Sequence, residues 1–172
     1  MSLPTYQFSL AKTPNHLRGY FDLRKAIFCA EQELFPHSDI DRTDDNAHPI
    51  VALERDWVAG DRVIGVVRIY EAEPRLWYGG RLGVHALYRS RGRVGKRLIH
   101  KAVTTANEWG CDRFLATVQL QNVRFFRRLH WNSLEEMTLF GQKHHLMEAD
   151  LEFYPPNGEP RVAVPQVLGE VA

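Results

Sequence analysis

The stretch RLGVHALYRSRGRVGKRLI, residues 81–99, carries the pattern that decides the fold. It begins as a strand, passes through a turn rich in glycine and arginine, and continues into a helix with Leu98 and Ile99 on its apolar face. The first N–H groups of a helix have no partner within the helix and lie at the positive end of its dipole. Basic residues oppose that dipole, so their clustering here predicts a bound phosphate or pyrophosphate. A solvated basic turn is the alternative.

Periodicity on both sides of this stretch predicts the remaining elements. Before it we expect a strand at 5–10, an amphipathic helix at 15–33, an irregular acidic loop at 34–48 and strands at 48–56, 61–71 and 75–85. After it come a helix ending at Gly110, a strand at 113–120, a short helix at 122–131 and strands at 134–141 and 144–153. The order β-α-βββ-α-β-α-ββ predicts an α/β fold, a mixed sheet flanked by helices. Gly79 and Gly80 predict a bulge or a close backbone approach within their strand.

Composition limits the class of protein. The chain has 172 residues with 22 Lys+Arg against 21 Asp+Glu, and this balance argues against a dedicated nucleic-acid surface. We expect one domain at 1–153 and a Pro-rich arm or linker at 154–172. Cys29 and Cys111 are far apart, no export signal is visible and no apolar run approaches a membrane span, so a soluble, cytoplasmic protein is expected. No metal is expected, because the adjacent His144 and His145 face opposite sides of their strand.

Four segments resemble one family. Residues 81–99 resemble the acyl-CoA loop of the GNAT superfamily of N-acetyltransferases, FFRRLHW (125–131) its "F-Y-x-x-L-G-F" element and GQKHHLMEADL (141–151) its closing hairpin. LRKAIFCAEQE (23–33) and DIDRTDDNAHPI (39–50) are similar to the front half of ElaA-type acetyltransferases and acyl-homoserine-lactone synthases. The front half also resembles acetyltransferases of nitrogen-starvation gene clusters, which implies a role in nitrogen metabolism. The resemblance covers roughly residues 5–152, in the family's own order.

The resemblance implies a GNAT fold: a mixed, mostly antiparallel sheet of six to seven strands, with strands 4 and 5 splayed. It also implies transfer of an acetyl group from acetyl-CoA, used as co-substrate, to the amine of a small molecule by direct attack. The residues that it places against acetyl-CoA are Leu82, Gly83 and Val84 in the strand, Arg89, Arg91, Gly92, Arg93, Val94, Gly95 and Lys96 in the turn, and Asn122 and Phe126 beyond.

Two positions depart from the family pattern. The segment from Arg89 to Gly92 matches Arg-x-x-Gly, but Val94 then stands at the final Gly/Ala position; if Gly95 is the final glycine instead, Arg93 replaces the middle one. Phe126 stands where a Tyr commonly returns a proton to the CoA thiolate, and Phe cannot donate. Either water or another donor such as His130 would then return the proton to the thiolate, or catalysis would be weak.

The acceptor side is the more open part of the prediction. Direct attack by an amine above neutral pKa needs a base, and strand 75–85 carries no acidic residue. We name Glu31 and Glu71 as candidate catalytic residues, with Glu73 and the acidic loop as further sources of a carboxylate. Within that loop, Asp39, Asp41 and Asp44 are candidate substrate-binding residues for a cationic amine or guanidinium. The alternatives are a solvated loop whose aspartates serve turns and helix caps, or a calcium site.

Two other functions remain open at this point. One is a GNAT-fold acyl-CoA-binding module with little turnover, suggested by Phe126 and the irregular turn. The other is an acyl-homoserine-lactone-synthase-like enzyme, although YGGRLGVH (78–85) stands where that family has a Glu-Ser-Ser-Arg-Phe region. The expected partner is a small-molecule amine, with no nucleic acid and no membrane; a homodimer or a partner domain is left open.

Overall fold

A seven-stranded sheet in the order β1-β2-β3-β4-β5-β7-β6 organises the computed structural model, which describes residues 5–90 and 93–166. The strands are β1 (Tyr6–Leu10), β2 (His48–Glu54), β3 (Arg62–Glu73), β4 (Leu76–Val84), β5 (Arg113–Gln119), β6 (Trp131–Leu139) and β7 (Gln142–Ala149). The helices are α1 (Pro14–Arg24), α2 (Val94–Glu108) and α3 (Val123–Arg128). β4 and β5 are parallel and the other paired strands are antiparallel. The predicted mixed, mostly antiparallel sheet with flanking helices is confirmed.

Helix α1 begins at a local N-terminal capping signal and ends in an unusual turn. The Thr13 hydroxyl accepts a hydrogen bond from the His16 N–H at 3.1 Å, and Pro14 occupies the first helical position. The helix then continues as a π-helical turn, Lys25–Glu31, in which the Gln32 N–H donates to the Ile27 carbonyl. The sequence predicts one helix over this whole span, and periodicity alone does not reveal the change of hydrogen-bond pattern.

Both faces of the sheet are buried. Along β2, Ile50 and Ala52 face a core shared with α2, whereas Val51 and Leu53 face a second core beneath α1. Alternating side chains of one strand thus enter two different cores, which explains why β2 reads as a continuous apolar run. Gly83 on β4 leaves room for the helix above it, since a Cβ there would lie 2.7 Å from Ile27 Cδ1.

The chain after β7 packs back onto α2. The Asn157 side-chain amide donates to the hydroxyls of Thr104 and Thr105, at 3.1 and 2.9 Å, and the Trp109 indole donates to the Glu159 carbonyl at 2.9 Å. This docking uses individual polar contacts and therefore leaves no amphipathic period in the sequence. Among residues 5–90 and 93–166, no helix is both long and apolar enough to cross a membrane.

His48 lies in an aromatic cluster at the start of β2. Its ring is 6.0 Å from that of Trp77 and 4.7 Å from that of Trp109, and the Arg161 guanidinium lies over both indoles. Burial, together with the charge of Arg161, lowers the pKa of His48 from 6.5 to about 4. Its Nδ1 is buried without a hydrogen-bond partner, so the native cluster holds a neutral imidazole.

This burial predicts acid sensitivity. Between pH 6.5 and about 4 the unfolded imidazole binds a proton and the native one does not, so the free energy of unfolding falls as the pH falls. We expect His48 to contribute a loss of up to about 3 kcal/mol across that window. His48→Phe should remove this part of the slope, as measured by urea unfolding at several pH values. The exposed His37 is the control, and an equal slope in His37→Phe and His48→Phe would contradict the assignment.

Candidate active site

The parallel pair β4 and β5 separates along its length. The two strands pair at Leu76, Trp77 and Tyr78, and β4 then runs on to Val84 without a partner on that side. Phe114 of β5 lies only 3.1 Å from where a Cβ on Gly79 would be, so a larger residue at the point of divergence would require the Phe114 ring to shift. The strands enclose a cavity of about 300 Å³. The predicted splay of strands 4 and 5 is confirmed.

A bulge in β4 lies at the edge of this cavity. Arg68 is opposite Gly80 and Val66 is opposite Gly83, so one residue of β3 faces both Arg81 and Leu82. Arg81 has a φ of +52°, in the left-handed region. The glycine pair therefore predicts the irregularity, which falls directly after Gly80. The bulge removes one residue of β4 from the hydrogen-bond ladder with β3. It lies in the part of β4 that no longer pairs with β5.

The cavity passes between the two faces of the sheet. On the α2 side its wall is formed by Ile99, Ala102, Val103, Asn122 and Phe126, and on the α1 side by Phe28, Gln32, Leu34, Phe35, Leu139 and Phe140. The rings of Phe35 and Phe140 meet edge to face at 5.2 Å, which joins the segment after α1 to the turn between β6 and β7. These two rings therefore border the cavity on the α1 side, which we call its aromatic mouth.

Polar side chains in the wall come mainly from the strands. They are Arg68, Tyr70, Tyr78, Arg81, Thr117, Gln119 and His144. Within the described part of the chain, the lining includes no aspartate and no glutamate. A ligand in this cavity thus meets arginine, hydroxyl, amide and imidazole groups.

The acidic loop is held by arginines. Arg24 of α1 is fully buried; its Nε donates to Asp39 at 2.7 Å, and its Nη1 and Nη2 donate to Asp44 at 2.6 and 3.0 Å. Burial alone would raise the pKa of Asp44, but the hydrogen bond and charge of Arg24 hold it below the ordinary value. These contacts form a buried ion network between the helix and the loop.

Two further arginines connect this network to the cavity wall. Arg68 of β3 binds both carboxylate oxygens of Asp41, at 2.7 and 3.1 Å, and lies 3.1 Å from Asp44. Arg81, at the bulge of β4, donates to the Asp39 carboxylate at 3.1 Å and to its carbonyl at 2.9 Å. Three arginines thus face three aspartates, and the loop carries no uncompensated negative charge at these positions.

A family model described as Acetyltransferase (GNAT) family matches residues 17–131. The chain belongs to the GNAT family. Members of this family bind acyl-CoA. No curated protein sequence matches the chain.

Solved structures show the same fold at low identity. A Lactobacillus plantarum protein proposed to be an N-acetyltransferase is 18% identical, with a TM-score of 0.73 over 84% of this chain and 97% of that one. Escherichia coli ElaA is 22% identical, with a TM-score of 0.70 over 86% and 100%. BjaI, a CoA-dependent acyl-homoserine lactone synthase with SAM and isopentyl-CoA, is 16% identical, with a TM-score of 0.69 over 91% and 96%.

The residues that the sequence predicts to contact acyl-CoA lie on both sides of the gap beside β4. Leu82 lines the cavity, Gly83 is buried under the π-helical turn, and Val84 ends the open strand. Asn122 and Phe126 face them across the gap, and Phe126 packs edge to face on Trp131 at 5.1 Å. The phenyl ring thus occupies the wall where a family tyrosine would offer a hydroxyl.

The turn before α2 is described only in part, because Arg91 and Gly92 lie outside the described residues. Arg93 has a φ of +51°, and within the residues that the structure covers no side chain caps the N-terminus of α2. Val94 is buried, which favours Gly95 as the glycine that faces a ligand; Lys96 is exposed. Arg89 donates to the Val84 carbonyl at 3.0 Å and to Glu31.

The candidate acceptor-side carboxylates lie away from the cavity lining. Glu31 pairs with Arg89, and Glu71 accepts a hydrogen bond from the Trp77 indole at 3.0 Å, at the opposite end of β4 from the turn. The loop aspartates Asp39, Asp41 and Asp44 are bound to arginines, as described above. Asp41 and Asp44 also form a capping box, one of the local roles that the sequence left open.

Sequence reasoning missed the arginines of the ion network and the histidine of the wall. Arg68 interrupts an apolar strand, VIGVVRIY, and Arg24 lies beside the buried Leu23 in α1. A charged residue at a core position requires a partner, and the only dense group of opposite charge nearby in sequence is the acidic loop. That combination was the available signal for the network. His144 gave no comparable signal.

The network predicts that Asp44 is structural. Asp44→Asn removes one of the negative charges that compensate the buried Arg24 guanidinium. The free energy of unfolding, measured by urea denaturation, should therefore fall by about 3 kcal/mol. The exposed neighbour Asp45 supplies the control; Asp45→Asn should change stability by less than about 0.5 kcal/mol. Equal stability of the two variants would show that Arg24 does not depend on Asp44.

Proposed function

We propose that this protein transfers an acetyl group from acetyl-CoA to the amine of a small molecule by direct attack. The observation that carries the proposal is the unpaired edge of β4, Gly79–Val84, which borders a cavity of about 300 Å³. An open strand edge binds an extended ligand that has amide groups, because the ligand can complete the ladder. Pantetheine is such a ligand, and its chain would extend from the cavity toward the turn before α2.

The proposed donor site uses backbone more than side chains. The thioester would lie beside the bulge at Arg81 and Leu82, where a free N–H group could polarise its carbonyl. The pyrophosphate would lie at the N-terminus of α2, with its N–H groups and positive dipole end. Because acetyl-CoA is an intracellular metabolite, a cytoplasmic location is part of the proposal.

The acceptor would enter from the α1 side, beside the contact between Phe35 and Phe140. The wall there contains arginines and aromatic rings, and none of the described lining residues is a carboxylate. A polyamine or an aminoglycoside would bring several positive charges to this wall without compensation. We therefore propose a monoamine with an apolar or anionic remainder, in place of the cationic acceptor that the acidic loop suggests in the sequence alone.

One observation favours a second candidate, an acyl-CoA-binding module with little turnover. Phe126 lines the cavity and has no hydroxyl to return a proton to the thiolate. Solvent, a hydroxyl elsewhere in the wall or the attacking nitrogen itself would have to supply that proton. The two candidates differ in turnover and not in binding.

Calorimetry followed by a thiol-release assay tests both. Acetyl-CoA, free CoA and ATP are titrated into the purified protein, and a panel of 2-phenylethylamine, L-glutamate and spermidine is then assayed. Saturable binding of acetyl-CoA with release of CoA in the presence of a monoamine supports the acetyltransferase. Binding without release for any amine supports the module, and absence of binding overturns both.

Gly95 offers a direct test of the donor site. A Cβ at Gly95 meets only Val84 Cγ2, at 3.8 Å, so Gly95→Glu should fold normally. Its carboxylate would lie against the pyrophosphate, and we expect acetyl-CoA affinity to fall by about 100-fold or more, ~3 kcal/mol, in calorimetry. His100→Glu places the same charge on an exposed position further along α2 and should bind normally. Wild-type affinity in Gly95→Glu would refute this placement of the pyrophosphate.

A further inference from the structure

We propose that His144 is the general base that removes a proton from the acceptor amine, an inference that rests on the proposed acetyltransferase function. His144 lies on β7, opposite Gln119 of β5, and lines the cavity on the same side as Gln32 and Phe140. Its side chain is largely buried. It is the only histidine among the described residues that line the cavity.

A backbone carbonyl fixes the tautomer of this imidazole. His144 Nδ1 lies 2.9 Å from the carbonyl oxygen of Gln142. A carbonyl oxygen can only accept, so Nδ1 must carry the hydrogen, and the neutral ring then has its lone pair on Nε2. The same contact holds the ring in place, as carbonyls and carboxylates do for catalytic and metal-binding histidines.

The basic nitrogen faces open space. Within the described chain, Nε2 of His144 has no hydrogen-bond partner. The fully buried side-chain atoms that lack a partner are His16 Nδ1, His48 Nδ1 and Arg68 Nε, so His144 Nε2 is not one of them. Nε2 is therefore not fully buried, and His144 is a residue of the cavity wall. A proton on the ammonium group of an acceptor, or on one intervening water, can reach it.

Competing bases are placed less well. The described lining has no carboxylate; Glu31 is paired with Arg89, and Glu71 accepts from the Trp77 indole. Arg68 and Arg81 stay protonated, and burial raises the pKa of Tyr70 above its ordinary value. The neighbouring His145 does not line the cavity, because consecutive residues of a strand face opposite sides of the sheet. Its Nδ1 lies 2.6 Å from Ser133 Oγ.

The proton inventory of the step balances. His144 Nε2 takes one proton from the ammonium group, which gives a neutral amine and an imidazolium. The amine lone pair forms the N–C bond with the thioester carbonyl carbon, and the C–S bond breaks as the tetrahedral adduct collapses. CoA leaves as the thiolate, which takes the second nitrogen proton, and the imidazolium releases the first proton to solvent. The products are the amide, CoA and one proton.

The test uses His144→Asn, with His145→Asn as the matched control. The Asn amide can still donate to the Gln142 carbonyl, so the variant keeps the hairpin contact and loses the base. With the monoamine of the panel that the wild type acetylates fastest, we expect kcat to fall by about 100-fold or more, with the KM of the amine and the affinity for acetyl-CoA unchanged. His145→Asn should retain wild-type kcat.

Three results would overturn the inference. They are a kcat within about threefold of wild type in His144→Asn, a parallel loss of acetyl-CoA affinity, and an Nε2–H tautomer in nitrogen-15 NMR of the imidazole. If the wild type acetylates no amine of the panel, the proposed function fails instead. The NMR measurement needs no turnover and decides the placement of the lone pair separately.

Discussion

The ion pairs of the buried Arg24 guanidinium are the interaction on which the candidate active-site side of the structure depends. A charge without solvent contact is stable only with partners, and the two carboxylates that bind Arg24, those of Asp39 and Asp44, come from the loop before β2. The loop therefore has essentially one place to lie, against α1. Since Asp44 also approaches Arg68 and Asp39 also binds Arg81, that place is fixed relative to β3 and β4 as well.

The position of the loop in turn sets the shape of the cavity. Arg81 occupies the bulge of β4, so the same residue that takes the strand out of its ladder is bound by the loop aspartates. Phe35, just upstream of those aspartates, lies 4.6 Å below the Arg81 guanidinium and meets Phe140 of the hairpin. A charge network that is neutral overall thus fixes the irregular part of β4 and the two rings of the aromatic mouth relative to each other. The acidic loop acts through its geometry, because its charge is already compensated.

The fold could be predicted from sequence to a much greater extent than the site. Strand alternation and helix periodicity report burial, and burial is what defines β2, α2 and their neighbours; even the bulge was signalled by Gly79 and Gly80. The pairing of Arg24 with Asp39 and Asp44 crosses up to 20 positions of chain, and periodicity contains no information on which carboxylate meets which guanidinium. The tautomer of His144 depends on a carbonyl two residues away, and the docked arm depends on single hydrogen bonds to α2. Contacts of this kind are specific to individual atoms, so no pattern of residue types reveals them.

The two halves of the site therefore carry different amounts of information in the sequence. The proposed donor half consists of the open edge of β4 and the first turn of α2, which are backbone features that many side chains permit. This tolerance explains why the turn can depart from the family signature at Arg93 and Val94 while the strand, bulge and helix remain in register. The proposed acceptor half consists of side chains from the segment after α1, three strands and a hairpin, and it changes with each substitution. Membership of the GNAT family consequently constrains the donor, whereas the acceptor has to be argued from the arginines, the aromatic mouth and the imidazole of this chain alone.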